Sequence, residues 1–186
     1  MINTHTVYCI LGRTSSGKST ITRLAAKELN MVVLKSYTTR DKRKGEELNS
    51  DHIFISEKEK NLYIKDAIAC TERSGYCNFM TRQQLLNSDF CIINPSGYYE
   101  LKLKTVNDHI KLVPIYITVP FRVIEQRARK RGDYKQWKQN YIKESQEFFD
   151  FEKSNLIDYR ILNDTSIEDA VNKLIKIIQK DKNKEN

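Results

Sequence analysis

Gly12-Arg13-Thr14-Ser15-Ser16-Gly17-Lys18-Ser19, followed by Thr20, fits the pattern GxxxxGK[ST]. Each residue type in that pattern has a physical task. The two glycines let the backbone turn so that successive N–H groups face inward around an anion. A helix opening near Lys18 adds the partial positive charge of its N-terminus. Lys18 brings a full charge to the β- and γ-phosphates of a nucleoside triphosphate, and the Ser19 hydroxyl offers an oxygen ligand to Mg²⁺. The chemistry so specified is polyphosphate binding and, given an acceptor, phosphoryl transfer. The loop does not name the acceptor. Water, a small molecule or no acceptor at all are each compatible with it.

Such a loop works only between a buried strand and a helix. Residues 7–11 form a continuous apolar run, as a strand covered on both faces requires. After the loop, Ile21, Leu24, Ala25 and Leu29 recur at helical spacing. Further strands are predicted over 32–34, 90–93, 112–117 and 159–162, with helices over 121–131, roughly 138–151 and 167–179. The last helix is expected to open on a capping box of Thr165 and Glu168. Strands alternating with helices predict an α/β fold, a P-loop core of about five parallel strands flanked by helices. The core is assigned to 1–35 and 89–180. Between them, 36–88 lose the alternation and read as an inserted subdomain. A polar stretch at about 131–140 reads as a lid, and 181–186 as a disordered tail.

Composition narrows the setting. The 186 residues suit one domain, and no apolar run is long enough to span a bilayer. The N-terminus lacks a signal-peptide pattern, so a cytoplasmic location is expected. Cys9, Cys70, Cys77 and Cys91 form no CxxC pair and are expected to be reduced, mostly buried thiols. The net charge of +8 suits either nucleic acid or polyphosphate pockets. Without a basic, aromatic stripe, nucleic acid is not the expected partner.

The segment Ser36-Tyr37-Thr38-Thr39-Arg40-Asp41-Lys42-Arg43-Lys44-Gly45-Glu46 places two forked cations three residues apart beside hydroxyl side chains. Guanidinium groups bind phosphate oxygens bidentately, so a second phosphate is one reading. A solvated basic loop is the other. The segment resembles the S-x-T-T-R-x-x-R-x-G-E signature of guanylate kinases. Asp51-His52-Ile53-Phe54 resembles the D-Y-x-F that follows it, Arg127 to Gly132 the R-x-x-x-R-G entering the lid, and Leu162-Asn163-Asp164 the V-x-N-D near the adenine site. The resemblance implies that the insertion binds a nucleoside monophosphate and that the γ-phosphoryl of ATP passes to GMP or dGMP with Mg²⁺. It implies that Gly12 to Thr20 hold ATP, with Asn163 bordering the adenine. Lys18, Arg127 and Arg131 would act on the transferring group. Ser36 would touch the guanine, and Arg40, Arg43 and His52 would hold the monophosphate with Thr81 nearby. The state would be monomer or homodimer.

The sequence also departs from the family pattern. His52 replaces a Tyr, Ala69 stands where a guanine-binding Glu is usual, and Ile92 and Asn94 replace a pair of carboxylates. Glu72 is the nearest acidic substitute, and Asn94 offers a neutral hydrogen-bonding group. Fewer carboxylates imply weaker discrimination of guanine, whose N1–H and N2 amine are donors. Two other readings stay open: a binding module without catalysis, and a 5′-kinase of RNA or DNA.

Overall fold

The computed structural model describes residues 4–42, 50–73, 75–132 and 134–184. Among these, the strands are β1 (His5–Leu11), β2 (Ser36–Thr38), β3 (His52–Phe54), β4 (Ala67–Arg73), β5 (Tyr76–Thr81), β6 (Phe90–Ile92), β7 (Ile110–Thr118) and β8 (Tyr159–Leu162). The helices are α1 (Lys18–Leu29), α2 (Glu57–Tyr63), α3 (Arg82–Leu86), α4 (Pro95–Lys104), α5 (Phe121–Arg131), α6 (Tyr134–Lys153) and α7 (Ile167–Lys182). One sheet is parallel, in the order β6-β1-β7-β8. The fold is therefore α/β, with four strands in this sheet. The expected fifth, at 32–34, is reduced to an isolated parallel bridge between Val33 and Phe90. Four apolar residues, Met31 to Leu34, between the left-handed Asn30 and the exposed Lys35 leave little chain to pair.

The second sheet runs β3-β2-β5-β4. Its β2 pairs parallel with β3 and antiparallel with β5, and β4 pairs antiparallel with β5. All four strands fall within the stretch 36–88. The chain divides into two compact units, Met1–Cys9 with Val32–Leu112 and Ile10–Met31 with Val113–Asn186. The first thus also takes in β6 and α4.

In the second unit, Ala170, Val171, Leu174, Ile175 and Ile178 form the buried face of α7, which packs on α1. That helix opens at Ile167 as the sequence suggested, but its N-cap lies one residue later than expected. Ser166 is the N-cap and accepts from Asp169 N, while Thr165 donates its hydroxyl to the Asp169 carboxylate at 2.9 Å. The helix also runs into the expected tail, ending at Lys182 with Asp181 buried. The expected lid is mostly helical, since α6 begins at Tyr134. Trp137 is the reason: it is buried against Ile124 and Ala128 of α5, with Tyr134 and Tyr141 alongside. Aromatic residues at positions 134, 137 and 141 extend the apolar face of α6 by a turn. No helix among the described residues is long and apolar enough to cross a membrane.

Candidate active site

The phosphate loop leaves β1 at Gly12, where the chain has no room for a side chain. A Cβ there would lie 2.8 Å from Ser16 Oγ and 2.9 Å from Ile117 O. The loop closes at Gly17, whose φ of +87° is left-handed and whose Cβ would meet Asn163 Nδ2 at 2.7 Å. Both positions therefore need glycine for reasons internal to the loop. Gly17 is also the N-cap of α1, and no side chain caps that helix. The first turn of a helix leaves its N–H groups without intrahelical acceptors. Here no acidic residue neutralises them either. Ser15 Oγ and Ser16 Oγ are closed to solvent and have no hydrogen-bond partner among the described residues. Buried unpaired polar atoms are uncommon in folded proteins and need an explanation. An anion seated in the loop supplies one.

Lys18 Nζ donates to Arg13 O at 3.4 Å, spanning the loop from within. Thr14 and Ser19 are half-buried and Thr20 is exposed. The Arg13 side chain turns to α6. Its Nε donates to Glu152 Oε1 at 3.3 Å, and its guanidinium lies 5.1 Å from the Tyr141 ring centroid and 5.2 Å from that of Phe148. Tyr116 donates its phenolic hydrogen to the same Glu152 oxygen at 2.5 Å. Burial, and then the carboxylate, raise the Tyr116 pKa and keep that hydrogen in place. Arg13 thus serves the loop through its backbone, with Glu152 and Tyr116 as its anchor. Neither anchor was legible in the sequence, because no local pattern connects residues so far apart along the chain.

Asn163 follows β8 and is 1% exposed. Its Nδ2 donates to Ser16 O at 2.7 Å, and its backbone N–H donates to Thr118 O at 2.9 Å. The side chain is enclosed behind the loop and holds it. Arg127 joins the same group, donating to Ser16 O at 3.4 Å, to Asn163 O at 3.2 Å and to Asn163 Oδ1 at 3.5 Å. Desolvation lowers its pKa. Arg131 is the exposed last residue of α5.

The residues expected to hold the acceptor belong to the first unit. Ser36 and His52 are register partners across β2 and β3, and Ser36 Oγ shares a 2.8 Å hydrogen bond with His52 Nδ1. Arg40 donates to Asp41 O at 2.7 Å and lies 5.4 Å from the Phe54 ring. Arg43 lies outside the described residues. Thr39 is locked to β5: its N–H donates to Cys77 O and its hydroxyl accepts from Cys77 N, both at 3.0 Å. Glu72 is exposed on β4 opposite Cys77.

Two of the expected acceptor residues have structural duties. Thr81 is the N-cap of α3 in a capping box with Gln84. Asn94 caps α4, its Oδ1 accepting from Gly97 N at 3.3 Å and from Thr71 Oγ1 at 3.4 Å. Its Nδ2 donates to Ser96 at 2.7 Å. Asn94→Ala is therefore expected to cost about 1 kcal/mol of stability, the usual size of a lost N-cap. Chemical denaturation measures it, and an unchanged midpoint would remove the capping role. A carboxylate that sequence reasoning overlooked lies nearby. Glu100 accepts from Cys70 N at 2.7 Å and from Lys104 Nζ at 2.6 Å. Burial opposes its charge, but these two donors outweigh it and lower its pKa.

The same unit contains a cavity of about 760 Å³ lined by Tyr37, Tyr63, Thr81, Arg82 and Lys104 among others. Tyr37 faces opposite to Ser36 and Thr38 because side chains alternate along a strand. Of the proposed acceptor residues that the structure describes, only Thr81 lines the cavity.

No protein-family model matches the chain, and no curated protein sequence does. Among solved structures, the chain is similar to the crystal structure of guanylate kinase from Anaplasma phagocytophilum. The TM-score is 0.64 at 22% identity, over 97% of this chain and 88% of that one. The fold is guanylate-kinase-like. At this identity the likeness is one of architecture, and the chemistry rests on the loop itself.

Proposed function

We propose that the protein is a nucleoside monophosphate kinase that transfers the γ-phosphoryl of ATP to GMP or dGMP, giving ADP and GDP or dGDP. The observation that carries this reading is the geometry at Gly12 to Ser19: two positions closed to any Cβ, two buried hydroxyls without partners among the described residues, and an uncapped helix start. All three suit a bound polyphosphate. The guanylate-kinase-like fold supports an acceptor that is a nucleotide rather than water.

Among the described residues no cluster of three or more His, Cys, Asp or Glu is arranged to hold a metal. Mg²⁺ commonly takes few protein ligands and keeps water and phosphate oxygens. Ser19, in the first turn of α1, is the protein ligand proposed for it. When bound, the ion neutralises charge on the β- and γ-oxygens. The chain's own residues do the remaining work. The loop N–H groups fix the polyphosphate, and Lys18 offsets charge at the transferring group. Arg127 and Asn163 hold Ser16 O so that the loop keeps its shape, and Arg131 closes on the nucleotide. Ser36, Arg40, Arg43 and His52 are proposed to take the monophosphate, with Glu72 as the acidic partner of its base. No covalent intermediate is needed, because positioning and charge stabilisation account for such transfers.

The test is a panel of ribo- and deoxynucleoside monophosphates assayed with MgATP. ATP is expected to be consumed only when a monophosphate is added, with guanine nucleotides having the highest kcat/KM. The margin over AMP and dTMP is expected to be narrow and to shrink further in Glu72→Gln. If no monophosphate is phosphorylated while ATP still binds, the protein is a binding module. Turnover of oligonucleotide 5′ ends in preference to mononucleotides would make it a nucleic-acid kinase. Under this proposal the protein acts in the cytoplasm as a monomer or homodimer.

A further inference from the structure

Four cysteines are free in the structure, and two of them are close neighbours. Cys70 on β4 stands opposite Phe79 and Cys77 on β5 opposite Glu72, so both thiols lie on one face of the antiparallel pair, at diagonal positions. Their sulfur atoms are 3.0 Å apart. That is about 1 Å more than the ~2.05 Å of a disulfide, and closing the bond across diagonal positions takes backbone adjustment as well as side-chain rotation. Cys70 is half-buried and so the more exposed of the two, while Cys77 is 3% exposed. Cys9 and Cys91 are each 0% exposed. Residues 70 and 77 lie seven apart on the two arms of one hairpin, so the hairpin already holds them together. The pair also adjoins a proposed functional segment, because Cys77 binds Thr39 through both its backbone N–H and its carbonyl.

We propose that Cys70 and Cys77 form a redox modification site: the dithiol closes to an intramolecular disulfide when it meets a small-molecule disulfide such as oxidised glutathione. The balance is that of thiol–disulfide exchange. The Cys70 thiolate attacks one sulfur of the small disulfide, forming a mixed disulfide and expelling one small thiolate. The Cys77 thiolate then attacks the Cys70 sulfur, forming the Cys70–Cys77 bond and expelling the second. Two cysteine thiols are oxidised and one small disulfide is reduced. The two cysteine protons end on the two small thiols released.

The asymmetry of the pair sets this order. Cys70 is the more exposed partner, so it meets the oxidant first. Burial, and then the hydrogen bond and charge of Cys70, push the Cys77 thiol up to about 12. Once Cys70 is held in a mixed disulfide, its charge is gone. The nearby Lys60 ammonium then favours the Cys77 thiolate, while burial and the Glu72 carboxylate still oppose it. Ring closure is therefore expected to accelerate as pH rises. Nothing in this chemistry depends on the phosphate loop.

The experiment treats the full chain with oxidised glutathione, counts thiols under denaturing conditions and maps disulfide-linked peptides. The wild type is expected to fall from four free thiols to two, with Cys70 and Cys77 joined in one peptide pair and no glutathione retained. Cys77→Ser is expected to stop at a glutathione adduct on Cys70, and Cys70→Ser to remain unreacted at position 77. Four thiols persisting in the wild type would overturn the proposal. So would a wild-type product that keeps glutathione on Cys70, or cross-links that run through Cys9, Cys91 or a second chain. If a serine variant fails to fold, the wild-type peptide map decides alone.

Discussion

Lys18→Ala is expected to lower kcat by at least about 100-fold, the scale for losing one preorganised electrostatic stabiliser at a transition state. The ammonium is the one full positive charge that the loop pattern itself carries to the β- and γ-phosphates. Lys18 is only half-buried and its bond to Arg13 O, at 3.4 Å, is long, so losing that bond is expected to cost the folded state little. The variant is therefore expected to melt near the wild-type temperature and to retain measurable ATP binding through the loop N–H groups. Steady-state kinetics with MgATP and GMP, thermal melting and a fluorescent-nucleotide titration separate the three quantities. A variant that turns over at near-normal rate would sink phosphoryl transfer at this loop. One that loses turnover only in proportion to its melting temperature would make Lys18 a structural residue.

How far the sequence disclosed this protein depends on the range of the interaction concerned. The strand–loop–helix around Gly12 to Leu29 was legible because everything that makes it is local: apolar residues before the loop, glycines within it and helical spacing after it. The fifth strand was not, because 32–34 has a strand's composition but pairs at Val33 alone. Composition cannot report how much edge a neighbour offers. The start of α6 was missed for the opposite reason. Lysines and glutamines around Trp137 gave the stretch a polar average, while its few aromatic residues were the ones buried.

The site shows the same division. Thr81-Arg82-Gln83-Gln84 carries the T-x-x-Q signature of a capping box, and the structure contains that box. The signal was present in the sequence, yet the resemblance directed Thr81 toward a ligand. Asn94 before Pro95 is likewise a helix-start pattern, with Pro at the first helical position. Polar residues at element boundaries carry two possible meanings, and a motif read without its caps keeps only one of them. The hold of Asn163 on Ser16 O and of Glu152 on Arg13 had no local signal at all. Such contacts depend on how distant strands and helices come together, which spacing along one segment does not encode.

Arg127→Ala is expected to be the second severe variant, and it separates two roles that the structure combines. In the structure the guanidinium binds backbone, Ser16 O and Asn163 O, together with Asn163 Oδ1. Removing it leaves part-buried acceptors short of a donor, at a cost on the order of 1–3 kcal/mol. That loss is expected to appear as a lower melting temperature and a raised KM for ATP. Catalysis adds a further demand, since charge at the transferring phosphoryl has to be met by a fixed cation, and its absence lowers kcat by about 100-fold or more. Asn163→Ala provides the control. It removes the 2.7 Å bond to Ser16 O but no charge, so it is expected to raise the ATP KM with a much smaller fall in kcat. Arg127→Lys retains a charge without the fork that reaches Ser16 and Asn163 together, and is expected to recover only part of kcat. Matching kinetic changes in Arg127→Ala and Asn163→Ala would confine Arg127 to supporting the loop. A kcat loss seen in Arg127→Ala alone would put its charge at the reaction.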